Sequence, residues 1–268
     1  MGALNRSAIR HPQLNTFSSS PRIHTMFTVA TYNIHKGHSM TQGSRIVQLK
    51  AGLAELAADI ICLQEVQEIN TKRTINHAIW GQSQLASLHD NHYPFCVYGA
   101  NAIYRHGDHG NAILSKYPIV SWQNIDVSDH RLEQRGLLHA QIDHPRHGDL
   151  HVVCVHFGLF KGGRNRQAQA LIAHIEKHVP HDATLIIAGD FNDWNLHVHR
   201  ALTQHLKVID AVEHLQETEV GRTFPSLMPW FKLDRLYVRG LSVQSAKIHS
   251  GSIWRSRSDH APICAQLM

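Results

Sequence analysis

Four short runs of aliphatic and β-branched residues organise the chain: Thr28 to Tyr32, Ile60 to Leu63, Val152 to Val155 and Leu185 to Ala188. A strand covered on one face alternates apolar with polar positions, so runs without that alternation predict strands buried on both faces. Each run ends on a polar tip: Asn33, Gln64-Glu65, His156 and Gly189-Asp190-Phe191-Asn192. A fifth tip, Ser258-Asp259-His260, precedes the last apolar run. Helical spacing lies between them. Ile46, Leu49, Leu53 and Leu56 predict a helix before Glu65, and Ile79, Leu85 and Leu88 a weaker one after it. Ala168, Leu171, Ile172, Ile175 and Val179 mark a helix from about Arg164 to His178. Gly110 to Ser115, Arg135 to Ile142 and Leu150 to Phe157 read as further strands, the last two joined by a His144-Pro145-Arg146-His147-Gly148 turn. Closely spaced strands and crossover helices, without internal repeats, fit α/β or α+β, and the pattern alone leaves that choice open.

The polar tips stretch from Asn33 to His260 and must converge to act together, which favours one domain over residues 26–268 of the 268. Residues 1–25 hold three arginines, no acidic residue and no periodicity. They read as a disordered leader. Their composition also resembles a transit peptide, and Met26 offers an alternative start. Lys and Arg number 26 against 21 Asp and Glu, a net charge of +5 and a pI near 9.1, which suits a phosphate-bearing or polyanionic substrate. Of the 24 histidines, His174 and His178 stand at i and i+4, a spacing that can bind zinc. They fall at the edge of the apolar face and are expected to be solvated, as are His197 and His199. Cys62, Cys96, Cys154 and Cys264 are widely spaced and form no C-x-x-C pair, predicting buried reduced thiols and a reducing compartment. With no secretory signal and no membrane-spanning run, the expectation is a soluble, cytoplasmic monomer.

A strand tip carrying Asp190 and Asn192 beside another carrying Asp259 and His260 offers carboxylates, an amide and an imidazole to one small volume. Those are the parts for cleaving a phosphate ester, a reaction that needs both charge neutralisation and an activated water. Glu65 is the best candidate for the main metal ligand, because Mg²⁺ takes one or two carboxylates, waters and substrate phosphate oxygens.

Taken together, Tyr32-Asn33, Gln64-Glu65, His156, Gly189-Asp190-Phe191-Asn192, Leu233-Asp234-Arg235 and Ser258-Asp259-His260 resemble the endonuclease/exonuclease/phosphatase superfamily. That superfamily includes pancreatic-type deoxyribonuclease, abasic-site endonucleases, neutral sphingomyelinases and inositol-polyphosphate phosphatases. The segments at 32–37, 109–115 and 189–194 resemble its bacterial YbhP-like branch. The resemblance runs from about Phe27 to the C-terminus and implies a four-layer sandwich, two packed mixed β-sheets flanked by helices. It implies that Asp190 holds or deprotonates the attacking water, that Asn192 stabilises the oxyanion, and that Asp234 orients His260. His156 matches a second imidazole on the phosphate, and Arg135 a phosphate-contacting arginine. Glu65, with Asn33 and Asp259, would hold Mg²⁺, with Mn²⁺ able to substitute. Two positions depart from the pattern. His35 stands where abasic-site endonucleases often carry an acid, and Cys154 where an Asn is common, so one functional Mg²⁺ is expected and His35 marks a weakened or altered second metal site. Arg164, with Lys161 and Arg166, reads either as an anion site at a helix start or as a solvated cluster. Asn111 either points to the site or caps a turn.

For the substrate, Phe224-Pro225-Ser226-Leu227-Met228-Pro229-Trp230-Phe231 matters most. A nuclease groove calls for Arg, Lys and stacking aromatics, whereas this segment is apolar with one lysine after it. Packed on its own domain it says nothing of substrate; exposed, together with Phe157-Gly158-Leu159-Phe160, it suits a phospholipid headgroup ester and peripheral membrane contact. The reading leans to a phosphodiesterase on a non-nucleic-acid ester. A DNA endonuclease or exonuclease is the alternative, and a non-catalytic phosphate-binding scaffold the third.

Overall fold

The four continuous apolar runs become the central pairs of two sheets. A computed structural model describes residues 26–39, 43–68, 83–89, 91–131, 133–215 and 221–268. The leader over 1–25 and the Ile79 part of the weak helix lie outside them. Strand β1 (Phe27–Asn33) runs parallel to β4 (Ile60–Val66), and β9 (Gly148–His156) parallel to β10 (Thr184–Asp190). Antiparallel neighbours flank each pair. The first sheet adds β5 (Phe95–Tyr104), β6 (Gly107–Ser115), β13 (Val243–Ile248) and β14 (Ile263–Leu267), in the order β13-β14-β1-β4-β6-β5. The second adds β7 (Ile119–Asp126), β8 (Gly136–His144), β11 (Ile209–Asp210) and β12 (Asp234–Arg239), in the order β11-β12-β10-β9-β8-β7. A ribbon of β2 (His38–Ser39) and β3 (Gly43–Ser44) stands apart.

Burial on both faces explains the unbroken runs. Val29, Ile60, Cys62, Val152, Cys154, Ile186 and Ala188 pack between the sheets. The alternate residues Ala30, Tyr32, Ile61 and Leu63 face Leu49, Leu53 and Leu56 of helix α1 (Ile46–Leu56), with the short α2 (Gln84–Leu88) beside it. On the other sheet Val153, Val155, Leu185 and Ile187 meet Leu171 and Ile175 of α3 (Lys161–His178) and Leu202 of α4 (His197–Leu206). Short helices α5 (Ala211–His214) and α6 (Ser252–Arg255) complete the described elements. The result is the four-layer α/β sandwich of two mixed six-stranded sheets with helices outside.

Parallel pairing aligns the C-terminal tips of β1 with β4 and of β9 with β10, while the antiparallel β14 and β12 enter at the edges where those tips end. Asp190 therefore stands opposite His156 on one side and Asp234 on the other. At this tip Gly189 has φ +150°, and a Cβ there would lie 1.9 Å from the Val155 carbonyl oxygen, so β10 needs a bare backbone to close on β9. Cys62, Cys154 and Cys264 are buried and Cys96 half-buried, all four as free thiols. No helix among the described residues is long and apolar enough to cross a membrane. Two of the histidines expected to be solvated are not: His174 is buried, because α3 turns it onto His139 of β8, and His199 is half-buried against Tyr237 and Glu213.

Candidate active site

Glu65 is aimed by a local irregularity. The β4–β6 ladder shifts register between Leu63 and Val66, and Glu65, inside that bulge, has φ +59°. A non-glycine residue held left-handed at a bulge re-aims its side chain and is a feature of functional sites. Its carboxylate reaches the shared edge, where the Asn33 amide donates to Glu65 Oε1 at 3.4 Å and to Asp190 Oδ2 at 3.1 Å. Asn33 Oδ1 accepts the His35 backbone N–H at 3.0 Å. Ser258 donates its hydroxyl to the Asn33 carbonyl at 2.7 Å and accepts the His260 N–H at 3.3 Å, fastening the Asp259-His260 tip to the end of β1.

Asp190 lies at the centre. Its Oδ1 accepts the Asn192 N–H at 3.0 Å, and its Oδ2 lies 3.7 Å from His156 Nε2 and 3.8 Å from His260 Nε2. Burial drives its pKa up to about 7, helped by Asp234 and opposed by His260. The two imidazoles diverge. Burial, then Arg135, holds His156 well below the ordinary histidine range, so it is neutral. Burial also works against a charge on His260, but Asp234, whose Oδ2 accepts from His260 Nδ1 at 2.8 Å, outweighs it and lifts the ring to about 10. A buried acid near neutrality, a neutral imidazole and an imidazolium thus face one point.

These groups line a cavity of about 440 Å³ whose floor includes Glu65, His156, Asp190, Asn192, Asp259 and His260. Arg135 enters from the start of β8, its Nε donating to the Phe157 carbonyl at 3.2 Å. The Asn192 amide donates to that same carbonyl at 2.9 Å. His35 Nδ1 lies 3.2 Å from Asp259 Oδ1, a hydrogen bond that raises the proton affinity of the ring. The Glu65, Asp190 and Asp259 carboxylates that line the cavity are hard donors, whereas Asn33 turns its amide nitrogen to Glu65 and Asp190 and its Oδ1 to the His35 N–H; no basic side chain among the described residues forms an ion pair with Glu65. This donor set fits a small divalent cation of the Mg²⁺ type.

Two expected phosphate contacts lie elsewhere. Arg164 is buried, donates to the Gly158 and Leu159 carbonyls, and stacks its guanidinium 4.2 Å from the Trp194 ring centroid. Its guanidinium packs behind Leu159 and Trp194, which line the cavity, and is not itself part of the lining. Asn111 is fully buried and donates to the Gly136 and Cys154 carbonyls at 3.0 and 3.3 Å, joining one sheet to the other away from the cavity lining. Trp194, not foreseen in a role, lines the cavity together with Phe224 of the expected apolar segment, whose ring centroid lies 4.8 Å from that of His260. Asp193 in the same motif accepts the N–H groups of His197 and His199 and starts α4.

The model of the Endonuclease/Exonuclease/phosphatase family matches residues 30–260, from β1 to His260 itself. The chain belongs to that family. Its members are divalent-metal-dependent hydrolases of phosphoesters. Within this family, the protein YbhP of Escherichia coli strain K12 is 37% identical over 245 residues, spanning 90% of this chain and 96% of that one. Among solved structures, an endonuclease/exonuclease/phosphatase from Beutenbergia cavernae superposes with a TM-score of 0.71 at 16% identity, covering 91% of this chain and 72% of that one. The mannosyl-6-phosphatase of Bacteroides thetaiotaomicron gives 0.68 at 16% identity over 90% and 99%. At such identities the likeness is one of fold.

Proposed function

We propose that the chain is a Mg²⁺-dependent phosphodiesterase acting on a non-nucleic-acid ester, with a phospholipid headgroup as the leading substrate class. The observation that carries this reading is the rim. Leu159, Trp194, Phe224, Phe231 and Leu233 line the same cavity as the polar floor, and beside them Phe160, Leu227, Met228 and Trp230 are exposed. Large side chains left in water, at 61% for Trp230 and 71% for Leu227, on the loop that also carries the cavity-lining Phe224 and Phe231, suit acyl or other apolar material.

Glu65, assisted by Asn33 and Asp259, would hold the cation, which when bound neutralises phosphate charge and lowers the pKa of a water. The chain's own residues supply the rest. Asp190, raised toward neutrality, takes the proton of the attacking water. Asn33 and the Asn192 backbone fix that carboxylate in place. The His260 imidazolium, held charged by Asp234, sits where negative charge grows on the phosphoryl oxygens, with the neutral His156 and Arg135 beside it.

The test is a Mg²⁺-dependent screen of phospholipids, inositol phosphates, a bis-aryl phosphodiester, plasmid DNA and an abasic oligonucleotide, run on wild type and the Trp230→Ser/Phe231→Ser variant. Turnover of phospholipid that falls in the variant, while the bis-aryl ester is hydrolysed at nearly the same rate, is the expected result. Salt-sensitive DNA cleavage undiminished in the variant would give the site to a nuclease instead.

A further inference from the structure

Glu65 is not alone beside the cavity in holding a left-handed backbone. Where β1 ends, His35, Lys36 and Gly37 do so in succession, with φ of +45°, +56° and +58°. These departures lie at the ends of the two strands that deliver Asn33 and Glu65, and the backbone groups they turn out of the sheet ladder need other partners once buried. One side chain serves both. Gln84, the first residue of α2 and only 5% exposed, donates its amide to the Lys36 carbonyl at 2.9 Å and accepts the Gln67 N–H on its Oε1 at 2.7 Å. The turn packs directly on that amide: a Cβ at Gly37 would lie 2.4 Å from Gln84 Nε2. Ile34 donates its N–H to the Gln64 carbonyl at 3.1 Å, so the turn after β1 is tied to β4 on either side of Glu65.

We infer that Gln84 is a positioning residue for the metal centre: by locking Gln67 to the Lys36 turn it fixes the aim of Glu65 and so sets the affinity for Mg²⁺. The inference rests on the reading of Glu65 as the principal metal ligand. Gln84 is not part of the cavity lining and acts through the backbone alone. A non-glycine residue stays left-handed only where its surroundings over-determine it. Here Gln64 is held opposite Asn33 by the parallel ladder, and Gln84 supplies the matching constraint at Gln67, two residues beyond Glu65. The double role calls for a carboxamide, which donates and accepts at once. Methionine fills similar space but satisfies neither Lys36 nor Gln67. Ionised glutamate keeps the acceptor for Gln67 and loses the donor to Lys36. Groups that orient metal ligands from behind are typically worth about 10–100-fold in metal affinity.

The experiment measures Mg²⁺ binding by calorimetry, and Tm without metal, on the full chain of wild type, Gln84→Met, Gln84→Glu, Leu88→Ala and Glu65→Gln. Leu88 is buried in the core on the same helix, so Leu88→Ala loosens α2 without removing either hydrogen bond. Gln84→Met should bind Mg²⁺ about 10–100-fold more weakly, with Gln84→Glu between it and wild type. Leu88→Ala should keep wild-type affinity in spite of a lower Tm. Turnover of a bis-aryl phosphodiester should show the same split: Gln84→Met needs more Mg²⁺ for its half-maximal rate, and excess Mg²⁺ restores most of kcat. If Gln84→Met fails to fold, Gln84→Glu decides by the same comparison. Wild-type Mg²⁺ affinity in the Gln84 variants, or an equal loss in Leu88→Ala, would overturn the positioning role alone when Glu65→Gln still loses binding. Unchanged binding in Glu65→Gln would remove the metal reading itself, and this inference with it.

Discussion

Asp234→Asn keeps the shape of the Asp234–His260 contact and removes its charge. In the wild type His260 is lifted to about 10 although burial opposes it, and Asp234 is the largest favourable influence, ahead of Asp190 and Asp259. The distance from the ordinary ~6.5 to about 10 corresponds to roughly 4–5 kcal/mol at ~1.36 kcal/mol per tenfold change in proton affinity. If Asp234 supplies at least half, its loss costs about 2–3 kcal/mol, or some 30- to 150-fold in proton affinity. In the proposed mechanism the imidazolium is the active form, so activity is expected to be lost as pH rises through its pKa. The alkaline limb of kcat/KM should therefore move from near 10 in wild type to roughly 8 in Asp234→Asn, read between pH 6 and 10.5 and cross-checked by NMR of labelled histidine. Asp234→Asn combined with His260→Ala should cost little beyond His260→Ala alone. Because the folded-state pKa is raised, the pair's contribution to stability is full below about 6.5 and is lost as pH climbs through 10, so the Tm deficit of the double variant should shrink over that interval. A His260 that still titrates near 10 in Asp234→Asn, or fully multiplicative losses in the cycle, would refute the coupling.

Glu65→Gln should fold normally and lose most Mg²⁺ affinity by calorimetry, an amide oxygen being a poor ligand for a hard cation; unchanged binding would remove Glu65 from the metal site. Asp190→Asn should lower kcat by at least ~10² with a smaller change in KM, and a variant altered only in KM would show that Asp190 does not act in the transition state. Gly189→Ala should lower stability by at least ~2 kcal/mol in urea melts, since its methyl would press on the Val155 carbonyl. A neutral result would mean that the β9–β10 tip yields easily.

Strands buried on both faces were legible because nothing polar interrupts them, and the tips were legible because a polar residue ending such a run has one edge to occupy. Direction was not legible. Arg164 sits in a basic cluster at a helix start, yet its guanidinium turns inward to two carbonyls and Trp194. Asn111 lies in a strand whose neighbours line up with the site, but its amide faces the opposite sheet. His174 read as solvated because helical periodicity counts only the residues of its own helix, and the partner that buries it, His139, comes from β8. The exposure of Trp230 and Phe231 depended on loop conformation, which composition does not carry. The bulge that aims Glu65 left no trace in the pattern, since its φ of +59° occurs at a residue with no special tolerance for it.

The hydrogen bonds that assemble the cavity join residues very far apart along the chain: Asn33 to Asp190 spans 157 positions and Ser258 to Asn33 spans 225. Closing loops of that length is entropically late, and chains dominated by such contacts fold slowly. During refolding, helical and strand signals should therefore recover before any turnover does. Regain of phosphoester hydrolysis then serves as a clock for the last event in folding, the arrival of the C-terminal Ser258-Asp259-His260 tip against the first strand. A nascent chain on the ribosome would stay catalytically silent until the Ser258-Asp259-His260 tip emerged.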